Sequence, residues 1–306
     1  MATPLNSGAV SGEGAAFYIP NTDLGRIAER VQNQSVLATL SPERPTLYGN
    51  VGAVKMSRKP RAQIVAEGAQ KGSDTAEWNS VVASPVKIQT TIRMTDEVKW
   101  LDEDHRLLIV DDLVNALGES MSRAVDLIGI HGINPVTGLQ AGSVTSYLNQ
   151  TTNRTTAASS PTDELVAAVG SIMGGAYSPT GLGLDGGYAF QLATEQYADG
   201  RDRNPGLGFG DSVSNWRGLS VAQSNTVSGR PEAADTNLRA LVGDFTQVQW
   251  GFQRRFPVEV IEFGDPDNNG DLKGNNQIAY RVEGVVYVAI FDLDAFAAVD
   301  APVETP

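Results

Sequence analysis

The most constraining feature of the sequence is an excursion between about residues 50 and 94 that is too long to be stable by itself. Its second part, Val86–Met94, alternates apolar and polar residues, which is the period-two pattern of a strand with one wet face. Its first part contains residues 62–68, and the polar, glycine-containing residues 69–75 lie between the two. We predict a hairpin with these parts as its arms. Because a two-stranded hairpin is marginal in water, it needs a surface to lie on, and a neighbouring subunit is the obvious candidate.

Residues 102 to about 131 are predicted to form one long amphipathic helix, because apolar residues recur at steps of three and four. The stripe consists of Leu107, Val110, Val114, Leu117, Met121, Ala124 and Ile128. The residues that fall mainly on other faces are Asp111, Asp112, Glu119, Arg123 and Asp126. Acidic residues 102–104 lie where the helix dipole favours anions, and Gly132 and Pro135 are expected to end the helix.

The remaining segments give shorter predictions. Residues 1–20 are polar and Gly-rich, which predicts an extended arm, and a short helix is expected to start near Asn21 or Thr22. Ser160 and Pro161 predict another helix start. The apolar runs 256–263 and 278–290 predict strands of one sheet packed on the long helix.

Composition excludes several function classes. The 306 residues carry a formal charge of −13, which disfavours direct wrapping of nucleic acid, because phosphate binding needs clustered cations. The chain has no cysteine, so disulfides, thiolate metal sites and cysteine nucleophiles are excluded. The N-terminus lacks the pattern of a signal peptide, and the longest apolar stretch, Val285–Phe291, is too short to span a bilayer. We therefore expect the protein in an aqueous, cytosol-like compartment, without a membrane partner.

Two motifs suggest ligand binding, and each has a simpler interpretation. Gly181–Gly186 has the G-x-G-x-x-G spacing of dinucleotide sites, but Ser178-Pro-Thr before it does not read as a strand, so a turn is favoured. Asp265–Asp271 resembles the start of a calcium loop, but position twelve holds Asn276 rather than a bidentate acid. A solvated Asn/Asp turn is therefore favoured there, with a weak structural ion as the alternative.

The two histidines, His105 and His131, lie near opposite ends of the predicted long helix. They cannot pair, so a His-based metal site or a local catalytic triad is disfavoured. Ordinary cap or surface roles suffice for both histidines. With the turn interpretations of the two motifs above, we expect no cofactor, no metal site and no enzymatic activity.

The order of the parts resembles the major capsid proteins of tailed bacteriophages with the Hong Kong ninety-seven type fold. The resemblance rests on three stretches with their order and spacing: Ile64–Gly68 through Trp78 to Pro85–Ile88; Ser122–Gly129 with Asn134–Leu139; and Gly243–Phe245 with Phe256–Val258, Asn276–Glu283 and Asp294–Phe296.

The resemblance implies an α+β fold, the phage major capsid fold. Its expected domains are an N-terminal arm (1–48), an extended loop formed by the long β-hairpin (49–95), a peripheral domain with the spine helix (96–134), an axial α/β domain (135–248), and the antiparallel peripheral sheet with the C-terminus (249–306).

The implied function is a structural subunit that assembles with itself into pentamers and hexamers of an icosahedral shell around double-stranded phage DNA. The hairpin would lie across a neighbouring subunit. Only about 20 polar residues precede the first predicted helix, so we expect either a separate scaffolding protein, which Met1 favours, or numbering that starts at a processed end. A portal and a decoration protein are further expected partners. The location implied is the virion, after assembly in the bacterial cytoplasm.

Some members of this family cross-link themselves through lysine–asparagine isopeptide bonds with a glutamate as base. By similarity, the candidates here are Lys71 at the hairpin tip, Asn276 and Glu283. A desolvated lysine loses its charge readily, and a nearby carboxylate can take its proton. The simpler interpretation is a solvated tip lysine and an Asn turn.

Two alternatives remain open at this stage. One is the shell protein of a cellular encapsulin-type nanocompartment, which encloses an enzyme instead of a genome. The long polar N-terminus favours the virus. The other is a nucleotide- or calcium-dependent enzyme, which would bind its ligand as a monomer.

Overall fold

The structure is a computed structural model, and it describes residues 35–105, 109–158, 160–175, 177–207, 215–230, 236–255 and 258–302. The predicted arm at residues 1–20 and the short helix after it lie outside the described residues. No helix in the described ranges is long and apolar enough to cross a membrane.

The helices of these ranges are α1 (Val36–Leu40), α2 (Asp96–His105), α3 (Ile109–Asp126), α4 (Pro161–Gly174) and α5 (Gly186–Ala193). The strands are β1 (Val51–Arg58), β2 (Glu77–Ala83), β3 (Val86–Thr95), β4 (Arg154–Thr156), β5 (Gly181–Leu184), β6 (Asn215–Trp216), β7 (Leu219–Gln223), β8 (Leu238–Gly243), β9 (Val248–Arg255), β10 (Glu259–Ile261), β11 (Gln277–Ile290) and β12 (Phe296–Asp300).

A four-stranded antiparallel sheet is organised around the long strand β11. The first half of β11 pairs with β3 on one side and β10 on the other, and its second half pairs with β9. Ile278 and Tyr280 of β11 and Met94 of β3 pack with Leu117 of α3. The predictions that both C-terminal runs lie in one sheet and that this sheet packs on the long helix are confirmed.

The arms of the hairpin were assigned wrongly from the sequence. Val86–Met94 is a strand, but it pairs with β11 instead of with residues 62–68. The true hairpin consists of β1 and β2, and residues 62–68 lie in the loop between them. Period two identifies a strand with one buried face, and β3 buries Ile88 and Met94 on the sheet because that burial removes more apolar surface from water than a solvated hairpin would.

The long helix is also divided differently from the prediction. It is two helices, α2 and α3, and its last turn, Leu127–His131, is π-helical. The carboxylate of Asp102 accepts hydrogen bonds from the backbone N–H groups of Ile109 (2.9 Å) and Val110 (3.3 Å), so this acid caps the start of α3. Gly132, in the left-handed region at φ 67°, ends the helix as predicted.

A six-stranded mixed sheet has the order β4-β12-β8-β5-β7-β6. Helix α4 starts at Ser160, whose side chain accepts from the N–H of Asp163, which confirms the predicted start. Leu165, Ala168 and Ile172 of α4 are buried together with residues of β5, β8 and β12. Helix α1 contacts β5 and β7 and contributes Val36 and Leu37 to the largest buried cluster, which also contains residues of α3, β9 and β11.

Candidate assembly interface

The β1–β2 hairpin projects from the body of the subunit. The register pairs Val51 with Ala83 at its base and Met56 with Trp78 further out. Residues 59–76, which connect the strands, are all exposed, including Ile64 at the surface. An exposed two-stranded element of this length has no core of its own.

The two faces of the hairpin differ. Val54, Trp78 and Val82 alternate with the inward-facing positions and share the outer face, where they are 68%, 60% and 57% exposed. Val51 and Ala83, at the base, pack with Tyr287 and Ala289 of β11. Since an exposed apolar patch marks an interaction site, the outer face is a candidate interface.

A polar cluster joins the middle of the hairpin to the body. The ammonium group of Lys55 contacts the carboxylate of Asp292 and lies 3.4 Å from the hydroxyl of Tyr177, which also donates to Asp292. Burial opposes both charges, but the mutual contacts prevail: the pKa of Lys55 is raised and the pKa of Asp292 is lowered. The pair is therefore charged at neutral pH.

The hairpin follows a very different segment, residues 35–44, which we call the strap. The indole of Trp250 of β9 donates to the carbonyl of Ser41 (3.0 Å), and the backbone carbonyl of Trp250 accepts from the N–H of Arg44 (2.8 Å). The hydroxyl of Tyr287 donates to the carbonyl of Arg44 (2.7 Å). The strap therefore fastens α1, which lies on the six-stranded sheet, to the four-stranded sheet.

The strap begins at a buried carboxylate, Asp126 of α3. It accepts from Ser35 Oγ (2.6 Å) and from the backbone N–H groups of Val36 (2.8 Å) and Leu37 (3.1 Å). The hydroxyl of Thr226 also donates to it, at 2.8 Å. Burial raises the pKa of Asp126, and these four donors oppose that rise. Arg123 and Asp126, which the sequence places away from the apolar stripe of the helix, are both buried.

The glycine motif at 181–186 is a buried strand, β5, followed by α5, so the predicted turn is wrong. A Cβ at Gly183 would lie 3.0 Å from Val36 of the strap, and one at Gly181 would lie 2.8 Å from the ring of Phe245. The glycines therefore let neighbouring side chains of the protein approach the strand.

The acidic turn at 265–271 surrounds a buried guanidinium. The side chain of Arg93 is 5% exposed, contacts Asp267, and donates to Asp265 at 2.8 Å and to the carbonyl of Gly270 at 2.9 Å. Hydrogen bonding from Arg93 lowers the pKa of Asp267. The segment is a turn, as predicted, but its carboxylates face a protein cation rather than solvent alone. Within the described ranges, no group of three or more His, Asp or Glu residues could hold a metal ion.

The structure describes one histidine side chain, His131, at the end of the π-helical turn. It is buried, and its Nε2 lies 3.0 Å from the carbonyl of Thr226 and 2.9 Å from that of Val227. Two acceptors at one nitrogen require Nε2 to carry a proton and donate. Burial lowers the pKa of His131 despite these hydrogen bonds.

The three cross-link candidates are not brought together within one chain. Lys71 is exposed in the loop between β1 and β2. Asn276 lies in the left-handed region at φ 49° before β11, whereas Glu283 is within β11 and pairs with Lys87 at 2.9 Å. Seven positions of extended chain correspond to ~23 Å, so Asn276 and Glu283 could act on one bond only if they came from different copies.

The fold is similar to solved viral structures over nearly its full length. A structure from Mycobacterium phage Ogopogo has a TM-score of 0.86 and 37% identity, and the match covers 93% of this chain and 97% of that one. One from Gordonia phage Cozz has a TM-score of 0.82 and 23% identity, covering 99% of each chain. The capsid of an empty GTA particle has a TM-score of 0.63 and 14% identity, covering 97% and 99%. No family model and no curated protein matches the sequence.

This chain belongs to the phage major capsid proteins of the Hong Kong ninety-seven type.

For this capsid protein, the predicted α+β class and capsid fold are confirmed, and so is the expected role as the major subunit of a viral shell. The encapsulin alternative is not favoured, since the matched structures come from phages and a GTA particle. These neighbours also support a structural role, self-association of subunits and location in the virion.

Sequence reasoning missed the residues that organise the capsid subunit internally: Arg93, Asp126 and the cluster of Lys55, Tyr177 and Asp292. The sequence contained a weak signal for Arg93. Asp265, Asp267 and Asn269 have the spacing of a calcium loop, but the acid at position twelve is missing, and Arg93 is a cation on the polar face of a predicted strand. Asp126 had another, because Val125 and Leu127 flank it on a predominantly apolar turn.

Proposed function

We propose that the hairpin of each capsid protein lies across a neighbouring copy and that such contacts build pentamers and hexamers of an icosahedral shell around double-stranded phage DNA. The observation that carries the proposal is the apolar outer face of the hairpin: Val54, Trp78 and Val82. Burying a large apolar side chain contributes about 1.5–3 kcal/mol. A projection that contacts a different surface on the next copy builds rings when the rotation between copies closes.

The net charge supports enclosure of DNA without tight binding. Phosphate contacts require clustered Lys and Arg, whereas this chain carries 36 acidic and 23 basic residues. The role is structural rather than catalytic. A separate scaffolding protein, a portal and a decoration protein complete the proposed assembly, which takes place in the host cytoplasm.

Electron microscopy of the purified protein tests the shell directly, and tryptophan quenching tests the contact. Trp216 and Trp250 are buried, whereas Trp78 and Trp100 are exposed, so a Trp100→Phe variant leaves Trp78 as the exposed tryptophan. We expect acrylamide quenching to fall when this variant assembles, because a neighbouring copy covers Trp78.

The outcomes separate the two parts of the proposal. If no closed particles form from the unmodified chain, alone or with a scaffold, the shell function is contradicted. If closed particles form and Trp78 remains as accessible to acrylamide as in free subunits, the proposed hairpin contact is contradicted, whereas the proposed shell function is supported.

A matched pair of substitutions measures the contribution of the outer face to assembly. Trp78→Ser should abolish or strongly reduce particle formation, whereas Trp78→Phe, which keeps an aromatic ring, should retain it. Both variants should unfold at the same temperature as the parent, since Trp78 is exposed within the subunit. Equal assembly of the two variants would argue against the outer face.

A cross-link between copies remains a proposal: the Lys71 amine would attack the side-chain amide carbon of Asn276, the C–N bond of that amide would break with release of ammonia, and Glu283 would take the proton from the lysine. The ion pair of Glu283 with Lys87 would have to open before this carboxylate could accept a proton from Lys71. Denaturing gel electrophoresis of mature particles tests it. Covalent oligomers that disappear in Lys71→Arg particles would support the cross-link, and a clean monomer band would reject it.

A further inference from the structure

The hairpin is attached to the body by a base that does not by itself fix a direction. The chain enters through Gly49, at φ 138°, and leaves through Ser84 and Pro85. At the base, Ala83 packs with Tyr287 and Ala289. Apolar contacts of this kind are non-directional, so they would hold the base while leaving the angle of the projection weakly determined.

The contact of Lys55 with Asp292 and Tyr177 is directional and lies further along the projection. Lys55 is in the middle of β1, opposite Asn79 of β2. Its ammonium group contacts the carboxylate of Asp292, lies 3.4 Å from the Tyr177 hydroxyl, and is 5.9 Å from the centre of the Tyr177 ring. The side chains of Lys55 and Asp292 are 29% and 20% exposed, so the pair is only partly screened by water.

The two partners of Lys55 are anchored in the body of the subunit. The ring of Tyr177 packs against both of the larger buried clusters. Asp292 lies two residues after the end of β11, and its carboxylate accepts from the N–H of Asp294, at 3.1 Å, to cap the next turn. Lys55 is therefore the one member of the cluster that moves with the hairpin.

We propose that the Lys55–Asp292–Tyr177 cluster is a joint that sets the angle at which the hairpin projects from the subunit, with Lys55 as its positioning residue. The inference rests on the proposed function only in its consequence for assembly, because the joint itself lies within one chain.

A small rotation at this joint has a large effect at the tip. About ten further residues separate Lys55 from the tip, and at the ~3.3 Å rise of a fully extended chain they reach at most ~33 Å, so a ~10° swing displaces the tip by up to ~6 Å. Side chains lose contact beyond about 4.5 Å, and such a swing would therefore remove the tip from a site on the neighbouring copy. The joint fixes the direction before a neighbour is present, which lowers the ordering cost of the contact.

The distance from the hairpin tip to the body measures the angle directly. The chain has no cysteine, so Ser73→Cys, in the loop between β1 and β2, and Asn115→Cys, on α3, give two unique labelling sites for nitroxides at exposed positions. Double electron–electron resonance on free subunits reports the distribution of this distance. We expect Lys55→Met to broaden it at least twofold and Lys55→Arg to restore the parent width.

Matched variants separate orientation from general loosening. Asp292→Asn should broaden the distribution as Lys55→Met does, and Tyr177→Phe should broaden it less, since the ion pair survives. Lys87→Met removes the ion pair with Glu283, which joins two strands of the four-stranded sheet and in which the lysine side chain is exposed. This variant should leave the width of the distance distribution unchanged. A distribution in Lys55→Met as narrow as in the parent would overturn the joint, whatever the particles do.

Assembly provides the second readout. The yield of closed particles from Lys55→Met subunits should be at least tenfold lower than from the parent. The melting temperature of the Lys55→Met subunit should equal that of the Lys87→Met control. If the parent forms no particles, the proposed shell function fails and the distance measurement still decides the joint. If Lys55→Met broadens the distribution and assembles like the parent, the angle is set without consequence for assembly, and that part of the proposal is wrong.

Discussion

The strap and the hairpin are consecutive in the chain, but they are stabilised in opposite ways. Ser35 and Ser41 of the strap are buried, and the strap is hydrogen-bonded to α3, β9 and β11. The hairpin has one face on the body and exposes Trp78 on the other. The difference shows that two consecutive segments have different roles. The strap joins the two sheets within the subunit, and the hairpin leaves an apolar face exposed for a contact outside it.

Two carboxylates sharpen this comparison, because each accepts four hydrogen bonds. Asp126 receives them in the interior, whereas Asp74 receives them from Arg58, Arg61 and Thr75 on the exposed hairpin. Asp126→Ala leaves buried donors without an acceptor and should lower the free energy of unfolding by about 3–5 kcal/mol. Asp74→Ala should leave it unchanged, since water replaces the lost acceptor. Chemical denaturation of both variants measures the contrast, and equal effects would remove it.

Two strand glycines test the same contrast at the level of packing. A Cβ at Gly251 of β9 would overlap the backbone of Arg44, whereas a Cβ at Gly52 of β1 would meet nothing within 4 Å. Gly251→Ala should cost about 1–3 kcal/mol of stability, because the strap backbone must move. Gly52→Ala should be neutral or slightly stabilising. Thermal unfolding of the pair checks this, and tolerance of Gly251→Ala would mean that the strap is held loosely.

The pH dependence of stability gives the smallest expected effect. Burial lowers the pKa of His131 in the folded protein, so the unfolded chain binds a proton at this site at higher pH than the folded chain does. Stability should therefore fall as the pH decreases below the unfolded value of about 6.5, by at most about 1.4 kcal/mol per pH unit. Denaturation at pH 7.5 and 5.5 should show a smaller difference in His131→Gln than in the parent. An identical difference would exclude His131 as its source.

Local patterns predicted what depends on near neighbours in the sequence. The apolar stripe of the spine helix was readable because Leu117, Met121, Ala124 and Ile128 recur at steps of three and four and are all buried. The alternation in residues 86–94 predicted a strand, but it could not predict which strand would pair with it. Ile92 pairs with Tyr280, which is far away in the sequence, and a local pattern carries no information about such a distant partner. Gly181–Leu184 was misread because glycines usually mark turns, whereas here they accommodate Val36 and Phe245.

The candidate interface was predicted only in outline. The need for a partner followed from the length of the excursion, but the apolar outer face depends on the register of β1 with β2, which places Val54 and Trp78 on the same side. The joint was not predictable, because Lys55, Tyr177 and Asp292 come from three distant parts of the chain and each alone is an ordinary surface residue type.

The guanidinium of Arg93 has a practical consequence for a particle that must survive outside a cell. A loop organised by a bound metal ion loses its shape when the concentration of that ion in solution is low or when a chelator is present, because the ion dissociates. The counter-ion of Asp265 and Asp267 is instead covalently part of strand β3 and cannot diffuse away. We therefore expect this corner of the subunit to keep its geometry in dilute solution and in the presence of a chelator.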